Sequence, residues 1–119
     1  MSDRHDPPRY RIRIVFGPRE MLGPGKADLL ERIARTGSIA AAGREMNMSY
    51  KRAWQLVETM NAMFRLPVVE SSRGGVRGGG AAVTETGHQV LAEYRALERA
   101  AETASAENLS RLREMLRED

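Results

Sequence analysis

Lys51, Arg52 and Gln55 are the residues whose types and spacing point most directly to chemistry. They crowd the start of a predicted helix, Tyr50 to about Met63. Their chemistry is recognition rather than bond making. Lys and Arg pair with phosphate or with guanine edges, and Gln pairs with adenine edges. Ser49 and Tyr50, just ahead of them, are placed to hold phosphate. A second group lies further on, where Arg73 and Arg77 stand among Gly74-Gly75 and Gly78-Gly79-Gly80. Glycine allows the backbone to approach a surface closely, and arginine beside it reaches a phosphate or a narrow minor groove. Each group also has a plainer reading: an amphipathic helix with a solvated face, and a merely flexible loop.

These residues need elements to position them. Ser38 precedes Ile39-Ala-Ala-Ala, where a helix N-cap belongs. Asn47-Met48-Ser49 interrupts that helix, and Ser49 can cap the next. Two short helices across so tight a turn are the signature of a helix-turn-helix. In the second helix Ala53, Leu56, Val57, Met60, Met63 and Phe64 form one apolar stripe. Lys51, Gln55 and Glu58 lie opposite, flanked by Tyr50, Trp54, Arg52 and Thr59. Trp54 at the flank is expected to pack rather than to contact DNA.

The rest of the chain supports this pair. Residues 1–9, with Pro7-Pro8, read as a flexible start. Tyr10, Ile12, Ile14 and Phe16 alternate with Arg11, Arg13 and Val15, a half-buried strand whose arginines can approach phosphate but are read first as a solvated face. Gly17-Pro18 and Gly23-Pro-Gly25 mark a loop. Lys26 to Arg35 is a helix with Leu29, Leu30, Ile33 and Ala34 as its stripe, stopped by Gly37. Val68-Val69 and Ala82-Val83 are short strands around the glycine-rich turn, as in a DNA-contacting wing. Thr84 or Thr86 caps a long helix running to about Ala104. Its stripe of Val90, Leu91, Tyr94, Leu97 and Ala101 exceeds what so small a body can cover, which predicts a homodimer through this helix. From Ser105 a short amphipathic helix with Leu109, Leu112, Met115 and Leu116 either folds back or extends that contact.

Composition narrows the function classes. The chain has 119 residues and a net charge of +3. Residues 1–84 hold 14 Lys/Arg against 8 Asp/Glu, a net +6, and residues 85–119 hold 5 against 8, a net −3. A basic body with an acidic tail suits a polyanion bound through the body. The absence of cysteine excludes disulfides and thiolate metal sites. His5 and His88 lack the spacing of a metal site. Ser38 and Ser49 are explained as caps, and no Gly-x-Ser-x-Gly elbow exists. The glycines match neither the nucleotide-binding phosphate loop nor the dinucleotide spacing. No enzyme activity and no cofactor are expected. No apolar run approaches a membrane span and no leader pattern opens the chain, so no membrane contact and a cytoplasmic location are expected.

The order strand, helix, helix-turn-helix, glycine-rich wing and long helix resembles the N-terminal DNA-binding domain of the molybdenum-dependent transcriptional regulators of the ModE type. It is similar also to LysR-type DNA-binding domains. The resemblance is carried by Gly37-Ser38-Ile39, Ser49-Tyr50-Lys51, Ala53-Trp54, Glu58-x-Met60-Asn61, the glycines 74–75 and 78–80, Ala81, and Thr84-x-x-Gly87. It implies a mainly α fold with a small β wing: a winged helix-turn-helix over residues 10–103 with a long C-terminal dimerisation helix, followed by the short helix of residues 104–119. It implies a homodimeric, sequence-specific regulator that binds double-stranded DNA. The expected DNA-binding residues are Ser38, Ser49, Tyr50, Lys51, Arg52, Gln55, Arg73 and Arg77. The family's C-terminal molybdate-binding modules have no counterpart before Asp119, and Pro7-Pro8 replaces an opening helix. The expectation is therefore a stand-alone DNA-binding form, or one that takes its signal from an effector-sensing protein partner. The competing class is a winged-helix protein-interaction module that uses its C-terminal helices.

Overall fold

The computed structural model describes residues 7–72 and 80–117. It opens on a hairpin where the alternation and the glycines predict one strand and a loop. Strand β1 (Ile14–Gly17) pairs antiparallel with β2 (Glu20–Leu22) across Pro18-Arg19. The expected alternation of burial holds from Tyr10 to Ile14 and then fails. Phe16 is 59% exposed, because the register slips between Val15 and Gly17 and turns it outward.

Helix α1 (Pro24–Thr36) follows, with proline in its first turn where no intrahelical N–H is lost. Gly37 ends it in the left-handed conformation, φ 71°, donating its N–H to the Ile33 carbonyl. Leu29, Leu30 and Ile33 are fully buried, but Ala34 lies exposed on the flank of the stripe. Helix α2 (Ile39–Glu45) and helix α3 (Tyr50–Met63) form the helix-turn-helix. Each starts as its serine dictates: Ser38 Oγ accepts from Ala41 N–H and Ser49 Oγ from Arg52 N–H, both at 3.0 Å. Such a cap contributes about 1 kcal/mol. Asn47, at φ 59°, makes the turn between the helices.

The wing strands are β3 (Val69–Ser72) and β4 (Gly80–Val83), antiparallel with Val69 opposite Val83. Helix α4 (Glu85–Ala104) starts on Thr84, whose hydroxyl accepts from Gly87 N–H at 3.0 Å. Helix α5 (Ala106–Glu114) continues after a break at Ser105 and buries none of its residues. The fold is thus a mainly α winged helix-turn-helix. Its main core joins α1, Ala42 of α2, the Ala53, Val57 and Met60 face of α3, and the wing residues Val69 and Ala81.

A second, smaller cluster centres on Tyr94 of α4 with Leu22 and Ala27. Tyr94, expected on a dimer face, is instead 2% exposed and donates its hydroxyl to the Ile12 carbonyl at 2.6 Å. The N-terminal half of α4 lies along α1 and the hairpin, so the monomer itself covers this side chain. Val90 and Leu91 pack against the same cluster. Arg95 fastens α4 to α1: Nη2 reaches Asp28 at 2.8 Å and Glu31 at 2.6 Å, while Nη1 reaches Glu98 at 3.1 Å. Burial pushes the Arg95 pKa down, but hydrogen bonds to the three carboxylates outweigh it and raise it above the ordinary guanidinium value.

The start of α4 packs so closely on the wing that only glycine fits. A Cβ on Gly87 would stand 2.2 Å from the Val68 carbonyl oxygen and 2.6 Å from a Val83 methyl. Gly87→Ala is expected to lower stability by about 1–3 kcal/mol through overpacking. The measurement is a urea titration, and an unchanged midpoint would show that α4 does not meet β3 this closely.

Candidate nucleic-acid interface

The local sequence dictates where the polar residues of α3 go. Ala53, Val57 and Met60 must face α1 and α2, and Gly43 meets Ala53 where the two helices cross. That packing turns Lys51 and Gln55 outward, and both are exposed. None of the ion pairs among the described residues involves Lys51 or Arg52. The exposed turn therefore offers two unneutralised cations and an amide at the N-terminal end of a helix, where the dipole favours an anion.

Two grooves flank this ridge. One is bounded by the start of α2, the length of α3 and the wing. Ser38, Tyr50, Trp54, Glu58, Ser71 and Gly80 contribute to its lining. Tyr50 and Trp54 are 57% and 45% exposed, so Trp54 does not play the packing part expected of it. Its position on the flank of the stripe turns it toward the wing, and β3 and β4 do not close over it. The other groove lies between α3, the start of α1 and the hairpin, and Arg52 lines that one with Lys26, Arg11 and Arg13. The structure thus brings Ser38 and Tyr50 together and sets Arg52 on the opposite side. Ser49 spends its side chain on the α3 cap. Arg73 and Arg77 lie outside the described residues.

Asn61 fixes the wing against α3. Its Oδ1 accepts from Val68 N–H at 2.7 Å and Val69 N–H at 3.2 Å, and its Nδ2 donates to the Val69 carbonyl at 3.0 Å. The far strand is tied as well, with Ala81 N–H donating to the Gly37 carbonyl at 3.0 Å. Thr84 closes the base of the wing through Pro67 O at 2.6 Å and Val68 O at 2.9 Å. The sequence carried a signal for Asn61 beyond the family pattern. It stands four residues after Val57, a polar side chain at the edge of the buried face.

Lys26 was also legible in principle, because it shares the Leu29, Leu30 and Ile33 face of α1. It is buried and donates from Nζ to the Met21 carbonyl at 2.6 Å. Burial first, then the neighbouring Arg52 and Arg13, lowers its pKa. Among the described residues no three His, Cys, Asp or Glu side chains gather as metal ligands. No helix among them is long and apolar enough to cross a membrane.

Comparison with known proteins bears on the same region. The family model described as bacterial regulatory helix-turn-helix protein, lysR family, matches residues 26–88. The molybdenum-pterin-binding protein MopB of Rhodobacter capsulatus is 47% identical over 77 residues, covering 65% of this chain and 28% of its own. The molybdenum transport protein ModE of Azotobacter vinelandii is 43% identical over 90 residues, 76% of this chain and 32% of its own. The DNA-binding transcriptional dual regulator ModE of Escherichia coli K12 is 37% identical over 71 residues, 60% of this chain and 27% of its own. The chain therefore spans about a third or less of the length of these relatives.

The Asn61 clamp has a local readout. In Asn61→Ala the amides of Val68 and Val69 should exchange with solvent at least tenfold faster. The Arg52 amide, held by Ser49, should keep its protection. Stability should fall by about 1–3 kcal/mol, the cost of unsatisfied buried backbone groups. Equal exchange in both proteins would mean that the wing is held by other contacts.

Proposed function

We propose that the chain, which belongs to the lysR family of bacterial regulatory helix-turn-helix proteins, binds double-stranded DNA sequence-specifically as a homodimeric transcriptional regulator. One observation carries the reading. The first turns of α3 are capped by Ser49, exposed, and bear Lys51, Arg52 and Gln55 with no ion pair to either cation among the described residues. Docked in a major groove, Lys51 and Gln55 reach base edges while Tyr50, with Ser38 beside it, lies nearer the backbone. Arg73 and Arg77 complete the reading as wing contacts to phosphate or the minor groove. A regulator of this kind acts in the cytoplasm.

The homodimer reading rests on the distal half of α4 and on α5. Leu97, Leu112 and Leu116 are 40%, 58% and 49% exposed, and Ala101 is half-buried on the same helix as Leu97. Exposed apolar side chains of this kind suit contact with a second copy of the chain. Tyr94 is taken up by the monomer core, and Val90 and Leu91, half-buried, pack against it. The relatives named for molybdenum are matched over about a third of their length. That matched portion is read here as the DNA-binding part, with no effector assigned to it.

Selection from a random duplex library should recover an inverted repeat whose half-sites lie about one helical turn, or a multiple, apart. Gln55→Ala should relax preference at one symmetric pair of bases by roughly 1–3 kcal/mol of discrimination. Recovery of no enriched motif by the wild-type protein would falsify the regulator reading and favour a protein-interaction module built on α4 and α5. Assembly has its own check. Leu97→Glu should convert the dimer to monomer in sedimentation while leaving the far-ultraviolet circular dichroism unaltered. A persistent dimer would place the contact elsewhere.

A further inference from the structure

The groove on the α1 side of α3 contains an imbalance of charge. Its cavity of about 300 Å3 is lined by Arg11, Arg13, Lys26 and Arg52 over Met48 and Leu56. Lys26 is 7% exposed, and its ammonium has three donors, of which one goes to the Met21 carbonyl. No ion pair among the described residues involves Lys26, Arg11, Arg13 or Arg52. The side-chain charges that bear most on Lys26 are themselves cations, Arg52 and Arg13. An aliphatic residue at this point of the α1 stripe would fill the space without a charge to desolvate. The start of α1 adds further donors. Gly23 offers no side-chain cap, and no acidic residue occupies the first turn.

We propose that this cavity is a binding site for an oxyanion of the phosphate class, held between Arg13, Lys26 and Arg52. Two oxygens of one tetrahedral anion can accept from a guanidinium while a third accepts from a buried ammonium. The missing negative charge then comes from the ligand, which accounts for a buried lysine surrounded by its own sign. The site stands on the cation cluster and not on the DNA reading. Its anion has two sources of the same chemistry: phosphate free in solution, or a backbone phosphate of bound duplex. Arg52 links the cases, since it belongs both to this cavity and to the first turn of α3.

The test uses the full chain with Arg13→Ala, an exposed position, and Lys26→Met, which keeps the buried volume. Inorganic phosphate is titrated against sodium chloride at equal ionic strength and pH 7, with thermal unfolding as the readout. For a free anion, 10 mM phosphate should raise the wild-type Tm by roughly 3–5 °C over chloride. The gain should fall by at least half in Arg13→Ala and vanish in Lys26→Met. Without phosphate, Lys26→Met should melt no lower than wild type. For a backbone phosphate, free phosphate has little effect. Each variant then lowers the slope of log affinity for duplex against log salt by about 0.9 and leaves the base preference intact. A phosphate gain that persists in both variants overturns the site. So does the joint absence of a phosphate gain and a slope change. If wild type binds no duplex at all, the regulator reading fails while the phosphate titration still decides this site.

Discussion

A two-stranded ribbon such as β3 and β4 has too little buried surface to hold a position of its own. Burial of Val69 and Ala81 in the main core and the side chain of Asn61 together supply that position. Asn61 satisfies three backbone groups of Val68 and Val69 from the last turn of α3, at 2.7 to 3.2 Å. Helix and wing are thereby referenced to each other through one amide. Every further contact refines that reference: the Gly37 carbonyl on Ala81, the Thr84 hydroxyl on Pro67, and the bare face of Gly87 against Val68. The separation of α3 from the wing is therefore narrowly fixed. It is set by hydrogen bonds to backbone groups, which tolerate little stretch.

The charges follow a division of labour. Glu45 engages Arg35 and Arg32, and Asp28, Glu31 and Glu98 engage Arg95. These pairs lie along α1, α2 and α4, away from the first turn of α3. Hydrogen bonding to Arg35 is the largest influence on Glu45 and holds its carboxyl below the ordinary range. Among the described residues Lys51, Arg52, Arg11 and Arg13 enter no ion pair, and the last three share one groove with Lys26. Unpaired cations that share a groove reinforce one another's positive field.

The parts legible in the sequence were those governed by near neighbours. Ser38, Ser49 and Thr84 cap helices because a hydroxyl reaches the backbone three residues on, whatever the tertiary surroundings. Gly37 stops α1 for the same local reason. The failures involve distant partners. Tyr94 shares the spacing of Leu97 but meets the Ile12 carbonyl, 82 positions away, and so belongs to the monomer core. Phe16 depends on a register slip that no alternation pattern encodes. Lys26 looked like an ordinary helix start until β2 and α3 were folded over it. Trp54 lies on the flank of the stripe, where packing is expected, and only the position of the wing shows that its groove stays open.

That open groove has an optical consequence. Trp54 is the single tryptophan of the chain, and it sits half-exposed between α3 and the wing. The indole emission of this protein therefore arises from one spot on its surface, beside the turn that bears Lys51 and Gln55. Its wavelength and quenching register what enters that groove, including water, a stacked base or a shift of β3. They carry almost nothing from the α4 and α5 end of the molecule. Occupancy of the face beside Trp54 can thus be followed on its own, without attaching a label.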